Sequence, residues 1–328
     1  MFLYVLFHEM SKERYLRDES LYNMIQENEI LIFLEYLPLI VCHVTKNENS
    51  KSKKGRPPKN LFDILVCLSI KQYFNLSLRR SMGLIRTLTS FMKVPINIPC
   101  FKTLDNYLNK RYITDHLQDI VKTLSNPFSV IEKYFATDAT GISTSTSSSW
   151  YDIKINKISR KKDHIMIHIS IGTTSNVVTN VDVCVKNGGD NKIFREHVKD
   201  VGKRFEVEEW SGDSAYLTRE NCTAVSAIGA LPYFKLKSNT IAASKGSRAW
   251  HDMVRRFRDD PASANKCYHR RSNVESTNSA KKRKFNKAVR SKNDRAKINE
   301  EILGWSSYNF SLLSRLEHEF RVYPEFAM

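Results

Sequence analysis

Tyr268, Arg271, Glu275 and Lys282 sit in a basic segment, residues 267–290, that reads CYHRRSNVESTNSAKKRKFNKAVR. Taken as a helix at 100° per residue, these four side chains fall within about 60° of one another. One face then carries an aromatic ring, two cations and one carboxylate. The segment has no Leu or Ile, so its composition does not suggest burial. A single Glu among so many cations suits a carboxylate serving a ligand that the cations also hold, such as a metal, a phosphate or both. A solvated basic helix, with Glu275 making i,i+4 pairs worth a few tenths of a kcal/mol, fits the same residues.

The composition favours a polyanionic partner. Lys and Arg total 52 against 35 Asp and Glu, a formal charge of +17 over 328 residues, and such a balance concentrates nucleic acid at the surface without specifying a fold. The six cysteines, Cys42, Cys67, Cys100, Cys184, Cys222 and Cys267, form no CxxC pair. They read as free thiols in a reducing cytosol rather than as a disulfide or zinc framework. No signal-peptide pattern opens the chain. The apolar run over residues 30–44 is interrupted by Glu35 and Pro38, so no membrane span is expected. A cytoplasmic, nucleoid-associated protein is the expectation.

Positioning elements can be read along the chain. Residues 11–37 have apolar side chains recurring every three to four positions, a helical period. Residues 46–59, KNENSKSKKGRPPK, form a cationic arm in which Gly55-Arg56-Pro57 resembles the core of a minor-groove AT-hook; a charged connector is the better reading of so short a match. Helices are expected over 61–73, near 78–92, from 103 and over 114–124, giving a helical domain over residues 1–125. No helix in it declares itself as a DNA-reading element. From residue 126 to 328 the texture changes. Strands are expected over 134–137, 164–171 and 177–184, then a helix over 192–201, a strand over 205–210, a helix over 217–228 and a strand over 230–236. Helices follow, broken near Pro261. Three strands, a helix, a strand, a helix and a strand fit an α/β fold of RNase H-like type, a mixed sheet with flanking helices.

In that arrangement Asp138 ends the first strand, Asp213 the fourth, and Glu275 lies on a later helix. Carboxylates at strand ends of an open sheet meet in the crevice where ligands bind. Oxygen ligands suit hard divalent cations and not zinc. Two such cations about 4 Å apart activate an attacking hydroxyl and stabilise a leaving 3′ oxygen at a phosphodiester. Physics alone does not select three residues from 35 acidic ones.

A resemblance does. Tyr268, Arg271, Glu275 and Lys282 match the Y-x2-R-x3-E-x6-K signature of bacterial insertion-sequence transposases of the DDE class. Asp138-Ala139-Thr140-Gly141 resembles the segment around their first Asp, and Gly212-Asp213-Ser214-Ala215-Tyr216 the G-D-x-A-Y motif around the second. The basic run from Trp150-Tyr151 to His164 is similar to their approach to the second strand. The resemblance covers roughly residues 50–316. It implies Asp138, Asp213 and Glu275 as catalytic, metal-binding residues, with two Mg2+ ions and Mn2+ as a substitute. It also implies phosphate contacts from Tyr268, Arg271 and Lys282, extended by the neighbouring Lys281 and Lys284 and, in the arm, by Arg56.

The activity implied is binding of terminal inverted repeats of double-stranded DNA, cleavage to expose 3′ hydroxyls and joining to target DNA by transesterification. A homodimer on paired ends goes with it; no nucleotide cofactor and no membrane do. A metal-dependent endonuclease that does not join, or an inactive DNA-binding repressor, are the competing readings. The loop after Asp138, STSTSSS, lacks the glycines that related loops carry. His164, His168 and His269 receive no role, because the metal itself lowers the pKa of bound water. Trp210 and Trp305 are expected in the core.

Overall fold

Period-two alternation of Ile165, Ile167, Ile169 and Ile171 with Met166, His168 and Ser170 builds the centre of the structure. This computed structural model describes residues 18–46, 57–92, 94–144, 164–185, 189–243 and 246–326. Among them β1 (Tyr134–Ser143), β2 (His164–Gly172), β3 (Val178–Cys184), β4 (Glu209–Gly212) and β5 (Leu231–Phe234) form one sheet in the order β3-β2-β1-β4-β5. β1 pairs antiparallel with β2, and β2 with β3, whereas β1–β4 and β4–β5 are parallel. This is the RNase H-like mixed sheet. β2 is buried on both faces along nearly its whole length, so helices must cover both sides.

On one face lie α6 (Asp190–Val201), α7 (Arg219–Ala227) and α8 (Arg248–Asp259), which surround Phe135, Trp210, Phe194 and Phe234. Thr218 and Ser247 cap α7 and α8 by accepting from Asn221 N and Trp250 N. The other face receives α5 (Arg111–Ser125) and α11 (Asp294–His318). Nearly every side chain of α11 from Ala296 to Leu316 is buried. It also packs on α1 (Glu19–Thr45) and α2 (Leu61–Tyr73), so the N-terminal helices and the sheet share one apolar core. α3 (Leu78–Thr89) and α4 (Phe101–Leu108) complete the helical region. Arg204 ties the junction after α5 to the sheet, donating to Ser125 Oγ, Asn126 Oδ1, Thr179 O and Asp200 Oδ2.

Two expectations change. α1 continues through Pro38 to Thr45, and it is long and apolar enough to cross a membrane by length and composition. Here Phe33, Leu37, Ile40 and Val41 are buried in the core it shares with α11. The basic segment is not one helix. α9 (Pro261–His269) ends, Arg270 and Arg271 turn, and α10 (Ser272–Lys284) begins. Adjacent residues of a continuous helix point about 100° apart. The break lets both arginines reach the sheet, Arg270 to Glu209 and Arg271 to Asp138. The segment is also more buried than its composition implies, with Val274, Phe285 and Val289 in the core.

The β2–β3 turn shows how tightly the sheet end is fitted. Glu132 is fully buried and accepts from Thr174 N, Ser175 N and Ser175 Oγ at 3.0, 2.5 and 2.6 Å. A Cβ on Gly172 would stand 2.4 Å from Glu132 Cδ. Gly172→Ala is expected to destabilise the fold by about 1–3 kcal/mol through overpacking, read as a lowered urea midpoint; an unchanged midpoint would show that the Glu132 clasp gives way freely.

Candidate active site

Asp138 lies within β1 and not at its end. The expected turn at Thr140-Gly141 is absent, because Thr140 pairs with Ile167, Gly141 with Met166, and the strand runs on to Ser143. The strand-end idea survives on the other edge. The parallel β1–β4 ladder stops at Thr137↔Gly212, so Asp138 and Asp213 are the next residues on neighbouring strands, which lie about 4.8 Å apart. The backbone is closely covered at Gly212, where a Cβ would crowd the Phe234 ring at 3.0 Å and Tyr216 at 3.4 Å. Asp213 Oδ1 accepts from Ala215 N at 2.8 Å, an Asx turn that sets the carboxylate.

Thr137 points to the opposite face and is anchored by a buried chain of polar groups. Trp210 Nε1 donates to Thr137 Oγ1, which bonds Ser170 Oγ at 2.7 Å. Ser170 Oγ lies 2.9 Å from His197 Nδ1, and His197 Nε2 lies 2.7 Å from Asp182 Oδ2. Although this sequence is Ser–His–Asp, Ser170 is fully buried and cannot meet a substrate. The chain fixes the strand beside Asp138.

Arg271 joins two of the expected carboxylates. Its Nη2 donates to Asp138 Oδ2 at 2.9 Å and its Nη1 to Glu275 Oε1 at 2.8 Å. Lys282, further along α10, donates to Gly141 O at 3.1 Å and Thr140 Oγ1 at 3.3 Å. Asp138, Thr140, Glu275, Asn278, Lys282, Arg283 and Lys287 line one open cleft of about 530 Å³. Asp213 is not among its lining residues, and among the described residues no three His, Cys, Asp or Glu side chains converge closely enough to hold a metal ion.

The electrostatics nonetheless suit a cation. Burial pushes the Asp138 carboxyl above its ordinary range, against the pull of Arg271 and the Ala139 N–H, and the Asp213 charge raises it further. Arg271 is raised overall: burial would lower it, but Asp138, Tyr268 and Glu275 outweigh that. Tyr268 is raised by burial, opposed by Arg271 and reinforced by Asp213 and Asp138. Tyr216, from the second Asp motif, is buried with a hydroxyl that has no hydrogen-bond partner among the described residues. Burial first, then the charges of Asp138, Asp190 and Asp213, push its hydroxyl far up. The donors are oxygen only, the chemistry of a Mg2+ or Mn2+ site, and one cation, the guanidinium, already stands between two of them.

The expectation for Lys281 is corrected. It is fully buried, its Nζ 2.5 Å from Glu301 Oε1 on α11 and 5.2 Å from the Trp305 ring centre. α10 turns it toward the core, so it has no face to offer DNA. Lys284 is half-exposed and pairs with Glu29, which also accepts from Tyr73 Oη at 2.5 Å. Asn75 Nδ2 donates to Phe285 O. These contacts fix α10, and so Glu275, to α1, α2 and α11; no local sequence signal marks them, since the partners lie 20 to 255 positions apart. Arg56, the 150–163 basic run and most of the STSTSSS loop lie outside the described residues. Trp210 and Trp305 are buried, and all six cysteines are free thiols. His168 is buried 3.6 Å from Asp190, and His164 and His269 are exposed.

Comparison with known proteins gives the same direction. Two family models, each described as a transposase DDE domain, match residues 28–146 and 132–310. No curated protein and no solved structure gives a significant match. One of those models alone spans more than half the chain and contains β1 to β5 with Asp138, Asp213 and Glu275, and on that ground the chain belongs to the transposase DDE-domain family.

Proposed function

We propose that this protein is a transposase that binds the terminal inverted repeats of its element, cleaves to expose 3′ hydroxyls and joins them to target DNA. The observation that carries the reading is the cleft in which Asp138 and Glu275 share walls with Lys282, Arg283 and Lys287. Carboxylates at its base suit a divalent cation, and cations at its wall suit the phosphates on either side of a scissile bond. Asp138, Asp213 and Glu275 would hold Mg2+, or Mn2+ in its place, which when bound supplies the Lewis acidity for attack and departure at the phosphorus. Lys282, on the backbone of β1 beyond Asp138, orients the phosphate. No covalent protein–DNA intermediate enters. Two ends require two copies of the chain.

End recognition is placed on the helical region. Arg79, Arg80 and Arg86 of α3, Lys102 and Asn106 of α4 and Lys110 at the start of α5 are exposed, and Arg79 stacks over Phe101 at 4.5 Å, holding α3 and α4 together. The double variant Arg80→Ala/Arg86→Ala is expected to weaken end binding uniformly and to flatten the slope of log K against log[salt] by about 2, near 0.9 for each phosphate that is no longer neutralised. Fluorescence anisotropy over a salt series reads it, and an unchanged slope would move recognition elsewhere.

The reaction itself is tested with labelled duplexes ending in the element's inverted repeat. Site-specific cleavage followed by joining to a target plasmid supports the transposase. Cutting without regard to sequence would indicate a nuclease, and binding without cutting in Mg2+ or Mn2+ a repressor.

A further inference from the structure

We propose that Arg271 is a clamp that occupies the metal-binding carboxylates of the DNA-free protein and releases them when a DNA phosphate takes its guanidinium. The inference rests on the assignment of Asp138 and Glu275 as metal ligands. One guanidinium reaches both, Nη2 to Asp138 Oδ2 at 2.9 Å and Nη1 to Glu275 Oε1 at 2.8 Å. A metal ion bound between these side chains needs the same oxygens, and it would stand beside a fixed positive charge. The two occupants exclude each other.

The geometry also shows which half opens. Asp138 exposes 13% of its side chain and Glu275 62%. An exposed i,i+4 pair is weak and screened by salt, so Glu275 is released first. The partly buried pair with Asp138 holds until something better arrives. A phosphate is better, since it offers two oxygens in the plane of the guanidinium fork. Arg271 Nε is buried without a hydrogen-bond partner among the described residues, so the guanidinium has a donor to gain by turning. Lys282, Arg283 and Lys287 line the same cleft and would bring the phosphodiester to it. Arg271 sits at the α9–α10 break, its backbone held in a turn by Arg271 N to Tyr268 O and Val274 N to Arg271 O, both 3.0 Å, so the side chain alone has to move. Two ligands that each favour the open arrangement must favour one another, so DNA and metal are positively coupled, with the same factor in both directions.

The experiment measures Mn2+ binding by the full chain, by titration with electron paramagnetic resonance detection, without DNA. Wild type is compared with Arg271→Ala and with Arg271→Gln, which keeps most of the side-chain volume; circular dichroism melts confirm folding. Removing the clamp is expected to tighten Mn2+ binding about tenfold, because the apparent affinity is no longer reduced by the small open fraction. An inverted-repeat duplex is expected to tighten Mn2+ binding to wild type and to have little further effect on the Arg271 variants. Equal or weaker binding by both variants, with wild-type binding still lost in Glu275→Gln, would overturn the clamp and leave the ligand assignment standing. Binding unaffected by Glu275→Gln and Asp138→Asn in every background would overturn both.

Discussion

Glu275→Gln is expected to reduce end cleavage and joining by at least about a thousandfold, the loss of several kcal/mol of metal-assisted stabilisation, while folding and end binding survive. The side chain is 62% exposed, and its one ion pair among the described residues is with Arg271 in the preceding turn. Exposed pairs of that kind contribute about 0.3–0.5 kcal/mol, too little to affect folding, whereas α10 is held by the buried Val274, Thr277 and Lys281. Gln keeps the volume and removes the charge, so chemistry and structure separate cleanly. Cleavage by Glu275→Gln within tenfold of wild type would remove Glu275 from the metal site.

Asp138→Asn is expected to be equally inactive with a different stability signature. The carboxyl of Asp138 is raised by burial in the folded chain. A carboxyl whose folded pKa lies above its unfolded value binds a proton more readily when folded. Its ionisation therefore subtracts stability as pH climbs from the ordinary carboxylate range through the raised value, and the full cost applies above it. Asn carries no such cost. Metal-free Asp138→Asn should melt above wild type at neutral pH, with the gap closing as pH falls into the ordinary carboxylate range. That is the signature of a charge kept for function at the expense of the fold.

Much of the sheet is readable because its signals are local. The isoleucine alternation of β2 specifies a strand by period alone, and the strand–helix order specifies the mixed sheet, although the strand expected over 205–210 begins only at Glu209. What the sequence hides depends on distant partners. Thr140-Gly141 has turn chemistry, yet the strand continues because β2 supplies a ladder opposite it. Pro38 should end α1, but packing of the flanking turns on α11 carries the helix through. Lys281 and Lys282 are adjacent and alike in sequence; one is fully buried and the other reaches into the cleft, and the difference is set by Glu301, twenty positions away. The signature marks Arg271 as a phosphate contact, and the i,i+4 spacing offers its pair with Glu275. Its reach to Asp138 is not legible, because the partner lies 133 positions away.

Lys281→Met is expected to be the most destabilising single change in α10, costing about 3–5 kcal/mol, the usual consequence of leaving one buried charge unpaired. Both side chains of the Lys281–Glu301 pair are within 1% of complete burial, and burial lowers the lysine and raises the glutamate. Glu301 Oε2 has no partner among the described residues, so once the ammonium is gone the carboxylate must take a proton or draw water into the core. The paired change Lys281→Met/Glu301→Leu removes both charges and is expected to recover most of the loss, since well-packed apolar replacements of buried ion pairs are often neutral or better by about 1–4 kcal/mol. Urea unfolding of the two single variants and the double variant gives the coupling directly. Neither residue lines the cleft, so the double variant should bind inverted-repeat DNA with unchanged salt dependence and cleave it at a near wild-type rate. A variant that instead stays stable but binds DNA with a salt slope shallower by about 0.9, the share of one phosphate, would put Lys281 on the DNA. Recovery of stability in the double variant would instead place the pair in the scaffold that holds α10, the helix of Glu275.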